Sequence, residues 1–138
     1  MTEKLSGLAI IFHSESFDRI QHGLHIAQAA LALGREVRLF FTYGSLYYLK
    51  KNSFPLLSLE KETSIYAKNL KEKRDQNLQE ELNELLRQTN ELGAKFYVCT
   101  NSMSLLNIAR NELSEVVDRS MGLIAFLTAT AADQILFI

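Results

Sequence analysis

The amino-acid sequence predicts an α/β fold, in which helices flank a doubly wound, mostly parallel five-stranded sheet. Short apolar segments alternate with longer segments of helical periodicity, which is the pattern of successive βαβ units. The first of them, residues 7–12, is apolar throughout rather than alternating, which indicates a strand covered on both faces. The 138 residues contain one proline and no linker-like stretch, so we expect a single domain over residues 1–138.

The first βαβ unit is predicted in the N-terminal third of the chain. Residues 7–12 form an apolar run of strand length, and Val37–Phe41 is predicted as the second strand. A helix is predicted between them, begun by Ser14 or Ser16 as the cap and ended by Gly34. Its apolar face carries Ile20, Leu24, Ala27 and Leu31.

The middle of the chain is heavily charged. For residues 52–75 two interpretations stand, a solvated helical face or a lid over a site, and charges of mixed sign at helical spacing favour the first. A second amphipathic helix is predicted next, ending at Gly93 and followed by the strand Lys95–Cys99. Its apolar side carries Leu78, Leu82, Leu85, Leu86 and Leu92.

The last third of the chain continues the alternation in shorter pieces. A short helix is predicted over residues 103–108, and Asn111 or Ser114 is expected to cap another that reaches Val117. Residues 120–122 have room for a brief strand or turn. The alanine-rich apolar segment 124–132 then leads to a final buried strand over 135–138.

Composition and charge indicate which partners and which cellular compartment to expect. The formal net charge is -1, which gives no electrostatic reason to expect nucleic acid or an anionic membrane as a partner. No segment has the length of a membrane span, and the first residues lack the apolar stretch of a signal peptide. One cysteine forms no internal disulfide, so we expect a cytoplasmic protein.

Cys99 is the strongest candidate for chemistry. It ends the third predicted strand, where the chain turns into a helix, and there the unpaired N–H groups and the helix dipole favour the thiolate. The alternative is that Cys99 is a small buried apolar side chain, which is common for free cysteine.

Polar residues follow three of the predicted strands. His13, Tyr43 and the pair Thr100 and Asn101 all come directly at strand ends, where ligands bind in open parallel sheets. In a flavodoxin-like strand order, 2-1-3-4-5, the first strand lies beside the Cys99 strand. His13 is then expected next to Cys99 and able to take its proton.

Each of these polar residues also has a simpler interpretation. His13 alternatively bonds a loop carbonyl or faces water. Asn101 either caps the following helix, the favoured interpretation, or also aims N–H groups at bound sulfur.

Metal and cofactor sites are not expected. Asp18, His22 and His25 share one helix face and offer metal-binding side chains, but no fourth ligand accompanies them. An outward polar or subunit-contacting face is therefore favoured. The first strand is followed by His13-Ser14-Glu15-Ser16 rather than a glycine-rich loop, which disfavours nicotinamide and ATP.

Several segments carry a family resemblance, namely residues 28–37, 40–44 and 132–138 and, above all, the sequence LGAKFYVCTNSM over residues 92–103. Through them the chain resembles the DsrE/DsrF-like family, which includes TusD-type sulfur-relay proteins and archaeal peroxiredoxin-like relatives. The resemblance implies a homo-oligomer, trimer or hexamer, without a cofactor. It also implies that Cys99 carries sulfur as a persulfide between donor and acceptor proteins.

Two other functions remain to be weighed against a carrier. Peroxidase activity is disfavoured, because it needs a resolving cysteine or an external thiol and the chain has one cysteine. The second is a noncatalytic oligomeric module that binds a small anion or nucleotide while Cys99 only packs. Its binding rim would contain Tyr43, Tyr47, Tyr48 and Asn101.

Overall fold

A computed structural model describes residues 5–51, 68–69 and 78–138 of the chain. The strands are β1 (Leu8–Phe12), β2 (Val37–Phe41), β3 (Lys95–Cys99), β4 (Arg119–Met121) and β5 (Gln134–Phe137). The α-helices within the described ranges are α1 (Phe17–Ala32), α2 (Leu78–Glu91), α3 (Thr100–Leu106) and α4 (Leu123–Ala129). Two 3-10 helices cover Tyr43–Leu49 and Arg110–Glu112.

The five strands form one parallel sheet in the order β4-β3-β2-β1-β5. The predicted five-stranded parallel α/β architecture is confirmed. The expected flavodoxin-like strand order is wrong, because β2 and not β3 pairs with β1. From β1 to β4 the chain steps to the next position on the same side each time, and only the last connection returns across the sheet to place β5 beside β1.

One face of the sheet carries the larger core. Helix α1 lays its predicted apolar stripe on this face, with Ile20, Leu24 and Ala27 fully buried. Helix α2 packs beside α1 and contributes Leu82 and Leu86. These helices lie on one face because successive right-handed crossovers in one direction place their helices on the same side of a sheet.

The other face is covered by α4, which lies in the connection that runs back from β4 to β5. Phe126 of α4 is fully buried and stacks on Phe40 of β2 with ring centroids 4.4 Å apart. The smaller core cluster on this face consists of Ala9, Phe40, Cys99, Met121 and Phe126. Helix α4 has seven residues, so it covers only part of this face.

Most predicted boundaries agree with the structure, and the exceptions lie in short connections. Ser16 is the residue before α1, and Gly34 follows its end with a positive φ of 79°. The expected helix up to Val117 is wrong, since only the 3-10 turn Arg110–Glu112 forms there. Leu92 is exposed rather than part of the apolar side of α2. The interpretations of residues 52–75 fall outside the described residues, apart from 68–69.

Within the described ranges, the structure contains no helix that is long and apolar enough to cross a membrane.

Candidate functional site

Three strand ends bring His13, Thr42 and Cys99 to the same level of the sheet. Phe12 pairs with Phe41, and Phe41 pairs with Val98, so the residues that follow them form one row across β1, β2 and β3. Side chains alternate between the faces of a sheet, and the three belong to the face that carries α4. The row therefore lies at the carboxyl edge, beneath one end of α4.

A cavity of about 370 Å³ opens above this row. It is lined by Ile11, His13, Phe40, Thr42, Tyr43, Cys99, Asn101, Leu123, Leu127 and Phe137. Strand residues form its floor, and Leu123 and Leu127 of α4 form a wall. No Lys, Arg, Asp or Glu side chain is among the described residues of this lining, so the cavity is mainly apolar with a few polar groups at the strand ends.

The corrected strand order changes the relation between His13 and Cys99. They line one cavity, as expected, but β2 lies between their strands, and two strand spacings amount to about 9.5 Å. That separation leaves room between the two side chains for an atom of a bound thiol or a water molecule. The pair is thus arranged across a cavity rather than as adjacent residues.

Cys99 is the last residue of β3 and the residue before α3. It is 7% exposed, and its side chain makes no capping hydrogen bond to the helix. The backbone placement expected from the sequence is confirmed. The side chain packs with Phe40 and Met121 on one side and lines the cavity on the other.

The residues after Cys99 separate into one that lines the cavity and others that do not. Asn101 lines the cavity and is exposed, whereas Thr100 is exposed and lies outside the lining described for it. Asn101 stands in the first turn of α3, and Cys99 occupies the cap position, so the expected capping role of Asn101 is wrong. Ser102 is buried, and its Oγ accepts a hydrogen bond of 2.9 Å from the Tyr43 N–H.

Two aromatic rings contact the imidazole of His13. The ring of Tyr43 has its centroid 4.8 Å from the His13 centroid, and that of Phe137 lies at 5.6 Å. The backbone N–H of His13 donates to the Ile138 carbonyl at 2.7 Å, which ties the ends of β1 and β5 together. The His13 side chain is exposed and lines the cavity, which agrees with the alternative in which it faces water.

Sequence reasoning missed the part of the lining that comes from α4 and β5. Leu123, Leu127 and Phe137 have the pattern of ordinary core residues, yet all are more than two-fifths exposed in the structure. Thr42, which directly follows β2, also belongs to this lining. Its hydroxyl donates to the Phe12 carbonyl at 2.8 Å, which joins β2 to β1 beneath the cavity.

The polar face of α1 lies away from this cavity. Asp18 and His22 line a shallow groove with Leu136 and Ile138, whereas His25 lines a separate groove against α2. Among the residues the structure describes, no three His, Cys, Asp or Glu side chains are grouped as metal ligands would be.

Comparison with known proteins places the fold in a defined family. The model of the DsrE/DsrF-like family matches residues 7–137, which is nearly the whole chain. A comparison with curated proteins finds no match.

Two solved structures share the fold. The YchN protein from E. coli is 11% identical with a TM-score of 0.63, and covers 97% of this chain and 100% of its own. The protein of unknown function MTH1491 from Methanobacterium thermoautotrophicum is 13% identical with a TM-score of 0.60, at the same coverage of both chains. At these identities the likeness establishes the fold alone.

Proposed function

Because the chain belongs to the DsrE/DsrF-like family and its one cysteine lines a cavity at the carboxyl edge of the sheet, we propose that it is a sulfur carrier. Cys99 holds a sulfur atom as a persulfide and passes it to a partner thiol. The observation that carries this proposal is that Cys99, His13 and Asn101 line the same cavity. A thiol, a proton acceptor and an amide are the groups that such a transfer uses.

The transfer balances without a cofactor or an oxidant. His13 takes the proton of the Cys99 thiol through a water molecule in the space between them, and the resulting thiolate attacks the outer sulfur of a donor persulfide. The donor S–S bond breaks as the new S–S bond to Cys99 forms, and the donor leaves as a thiolate that receives a proton. An acceptor thiolate then attacks the outer sulfur on Cys99 and releases the Cys99 thiolate.

The lining favours one class of donor and acceptor. Moving a free inorganic anion such as thiosulfate into apolar surroundings is costly unless a cation pairs with it, and the described lining holds no Lys or Arg. A persulfide on a cysteine of a partner protein brings its sulfur in with little additional charge. We therefore propose protein partners as donor and acceptor, in a reducing compartment such as the cytoplasm, with Tyr43 and Asn101 at the binding surface and Thr100 beside it.

The proposal includes a homo-oligomer, with a second copy of the chain against α4 and β5. The support is a group of exposed apolar side chains on these two elements, a feature typical of protein interfaces. It comprises Leu123, Ile124, Leu127, Ile135 and Phe137. Ile124 is 85% exposed. We call this group the α4–β5 apolar surface.

Intact mass spectrometry tests the carrier function. Incubation of the native protein with a small-molecule persulfide donor is expected to add about 32 Da, the mass of one sulfur, which a reducing thiol then removes. Cys99→Ser is the matched control and is expected to gain nothing. Thiosulfate in place of the persulfide is expected to load little.

A second candidate, a noncatalytic ligand-binding module, is favoured by the low exposure of Cys99 and its contacts with Phe40 and Met121. In that case no persulfide donor adds mass. Cys99 then also reacts with iodoacetamide only after denaturation. Both outcomes together would overturn the carrier function.

A further inference from the structure

Tyr43 has a backbone conformation that is unusual for its side chain. Its φ is 49°, in the left-handed region, and among the described residues other than glycine only Asn107 shares that feature. Asparagine adopts this region readily, whereas an aromatic residue does so under strain. Strain of this kind persists only where surrounding contacts hold it.

Contacts on both sides of Tyr43 hold this conformation. The Tyr43 N–H donates to Oγ of Ser102, which is 1% exposed and lies on α3 shortly after Cys99. One residue earlier, the Thr42 N–H donates to Ser45 Oγ at 3.0 Å, and this hydroxyl lies 3.1 Å from the Phe12 carbonyl. The strained residue is therefore fastened to the helix that follows Cys99 and to the end of β1.

The conformation places the Tyr43 ring against His13. The ring centroids are 4.8 Å apart, and the planes are inclined by 48°. Phe137 contacts the same imidazole from β5. Both rings and the imidazole line the cavity that also contains Cys99, so the exposed His13 side chain is held by its neighbours at the cavity wall.

We propose that Tyr43 is a positioning residue, whose strained backbone, anchored by Ser102, keeps its ring against His13 and so directs the imidazole toward the cavity space shared with Cys99. This inference deepens the proposed function and rests on it for its biological meaning. Tyr43 acts through its ring and its backbone, and its hydroxyl is not needed. Ser102 is the link that couples the position of His13 to the helix beginning next to Cys99.

The test is the pH dependence of the rate at which native Cys99 reacts with iodoacetamide, an uncharged reagent. Histidine changes its charge between about pH 5 and 8, so an imidazole that serves Cys99 adds a step to the rate profile in that range. His13→Gln is expected to remove the step and to slow the reaction near neutral pH by about tenfold to a hundredfold, the lower range of general acid–base effects.

Two substitutions at Tyr43 separate the ring from the hydroxyl. Tyr43→Phe keeps the ring and is expected to retain the wild-type profile. Tyr43→Asn tolerates a positive φ but removes the ring, and is expected to lose the step as His13→Gln does. The double variant Tyr43→Asn with His13→Gln is expected to be no slower than His13→Gln alone, because both changes remove the same contribution.

Other titratable groups near His13 are addressed by their own variants. Tyr43 contacts His13 directly, Cys99 faces it across the cavity, and Glu15, two residues along the same loop, packs against Gly44. Glu15→Gln is expected to leave the step in place. Ser102→Ala is expected to weaken the step, and Ser102→Thr, which keeps a hydroxyl, is expected to restore part of it.

Several results would overturn the positioning role. The first is that Tyr43→Asn keeps the wild-type step in the pH profile, and the second is that the two substitutions of the double variant slow alkylation additively. The third is that Tyr43→Phe or Glu15→Gln loses the step. A merely structural role for Tyr43 would lower the melting temperature and leave the step unchanged. Alkylation does not require sulfur transfer, so failure of the persulfide experiment with an intact Tyr43–His13 coupling would remove the carrier function alone.

Discussion

Arg38 and Asp133 form an ion pair at the end of the sheet opposite the cavity, with Nη1 of Arg38 2.8 Å from Oδ2 of Asp133. Arg38 belongs to β2 and Asp133 precedes β5, so the pair reaches across β1. The Asp133 side chain is 9% exposed, and a Cβ placed on Gly7 would lie 2.4 Å from its Oδ1. Gly7, the residue before β1, has no side chain and therefore leaves the space that this ion pair occupies.

Asp133→Asn is expected to lower the free energy of unfolding by about 1–3 kcal/mol, the usual range for losing a charged hydrogen bond. The amide keeps the volume of the carboxylate but leaves the Arg38 guanidinium without its close counter-charge. Urea unfolding followed by circular dichroism measures the loss. Glu36→Gln is the control, because Glu36 lies 3.8 Å from Arg38 and is 68% exposed, and a change of more than about 0.5 kcal/mol there would contradict this account.

Gly23→Ala is expected to destabilise the protein, although alanine favours helix over glycine by about 1 kcal/mol. A Cβ at Gly23 would lie 2.3 Å from Cε1 of Phe12, whose ring is stacked on Phe41 with centroids 4.5 Å apart. Because the ring is confined, overpacking should exceed the helix preference and leave a net loss of about 1–2 kcal/mol. Chemical denaturation gives the value.

The matched control for that substitution is Ala29→Gly, on the exposed side of α1. It reports the helix preference alone, and a loss of about 1 kcal/mol is expected. A Gly23→Ala variant more stable than the wild type would show that α1 moves away from β1 at little cost.

Ile124→Asp is expected to dissociate the proposed homo-oligomer by placing a charge in the α4–β5 apolar surface. Light scattering coupled to size exclusion should then report the 15.7 kDa of one chain, while the wild type elutes as a multiple of it. Leu33→Asp introduces the same charge at an exposed leucine after α1 and should leave the assembly intact. A monomeric wild type, or dissociation by both variants, would contradict the assignment of this surface.

Arg87→Gln is expected to lower the melting temperature at neutral pH but not in acid. On α2, Arg87 donates hydrogen bonds to Glu84 and Glu91. The hydrogen bond from Arg87 holds the pKa of Glu84 below its ordinary 4.5. Because the pKa of Glu84 is lower in the folded state, the folded state is stabilised at any pH above the pKa of the unfolded chain. This stabilisation is lost as the pH falls through the pKa of the folded state.

The difference in melting temperature between wild type and Arg87→Gln should therefore be present at neutral pH and shrink progressively as the pH falls below 4.5, the ordinary pKa of a glutamate. Arg87 and Glu84 are both exposed, so concentrated salt should also reduce the difference in melting temperature. A difference that is independent of pH would mean that the arginine stabilises α2 through its apolar stem instead.

Most helices and strands could be predicted from the sequence, because each carries its own local pattern of apolar residues. Val37–Phe41 and Lys95–Cys99 are mostly apolar segments that each follow a helix ended by glycine, and both strands have the predicted limits. The position of Cys99 at the end of β3 followed from the same signal. The 3-10 helix Tyr43–Leu49 was not predicted, because it is held by hydrogen bonds to residues distant in sequence, such as Ser102.

Strand order could not be read from these patterns. A buried parallel strand is equally apolar whichever strand lies beside it, so nothing in residues 8–12 selects β2 over β3 as the neighbour. The cavity wall depends on the same choice, because α4 crosses the second face only when β5 pairs with β1. Leu127 and Phe137 therefore became part of the candidate site through topology.

The pairing of β1 with β5 also bears on the order of folding. Leu8 lies opposite Gln134, so this pairing closes the largest loop in the sheet, and loop closure of that length delays its formation. We expect β1, β2 and β3 to dock early through nearer contacts and β5 to join late. Until β5 joins, the cavity beside Cys99 lacks Phe137, the part of its lining that β5 supplies, so the thiol is more accessible to oxidants during that interval.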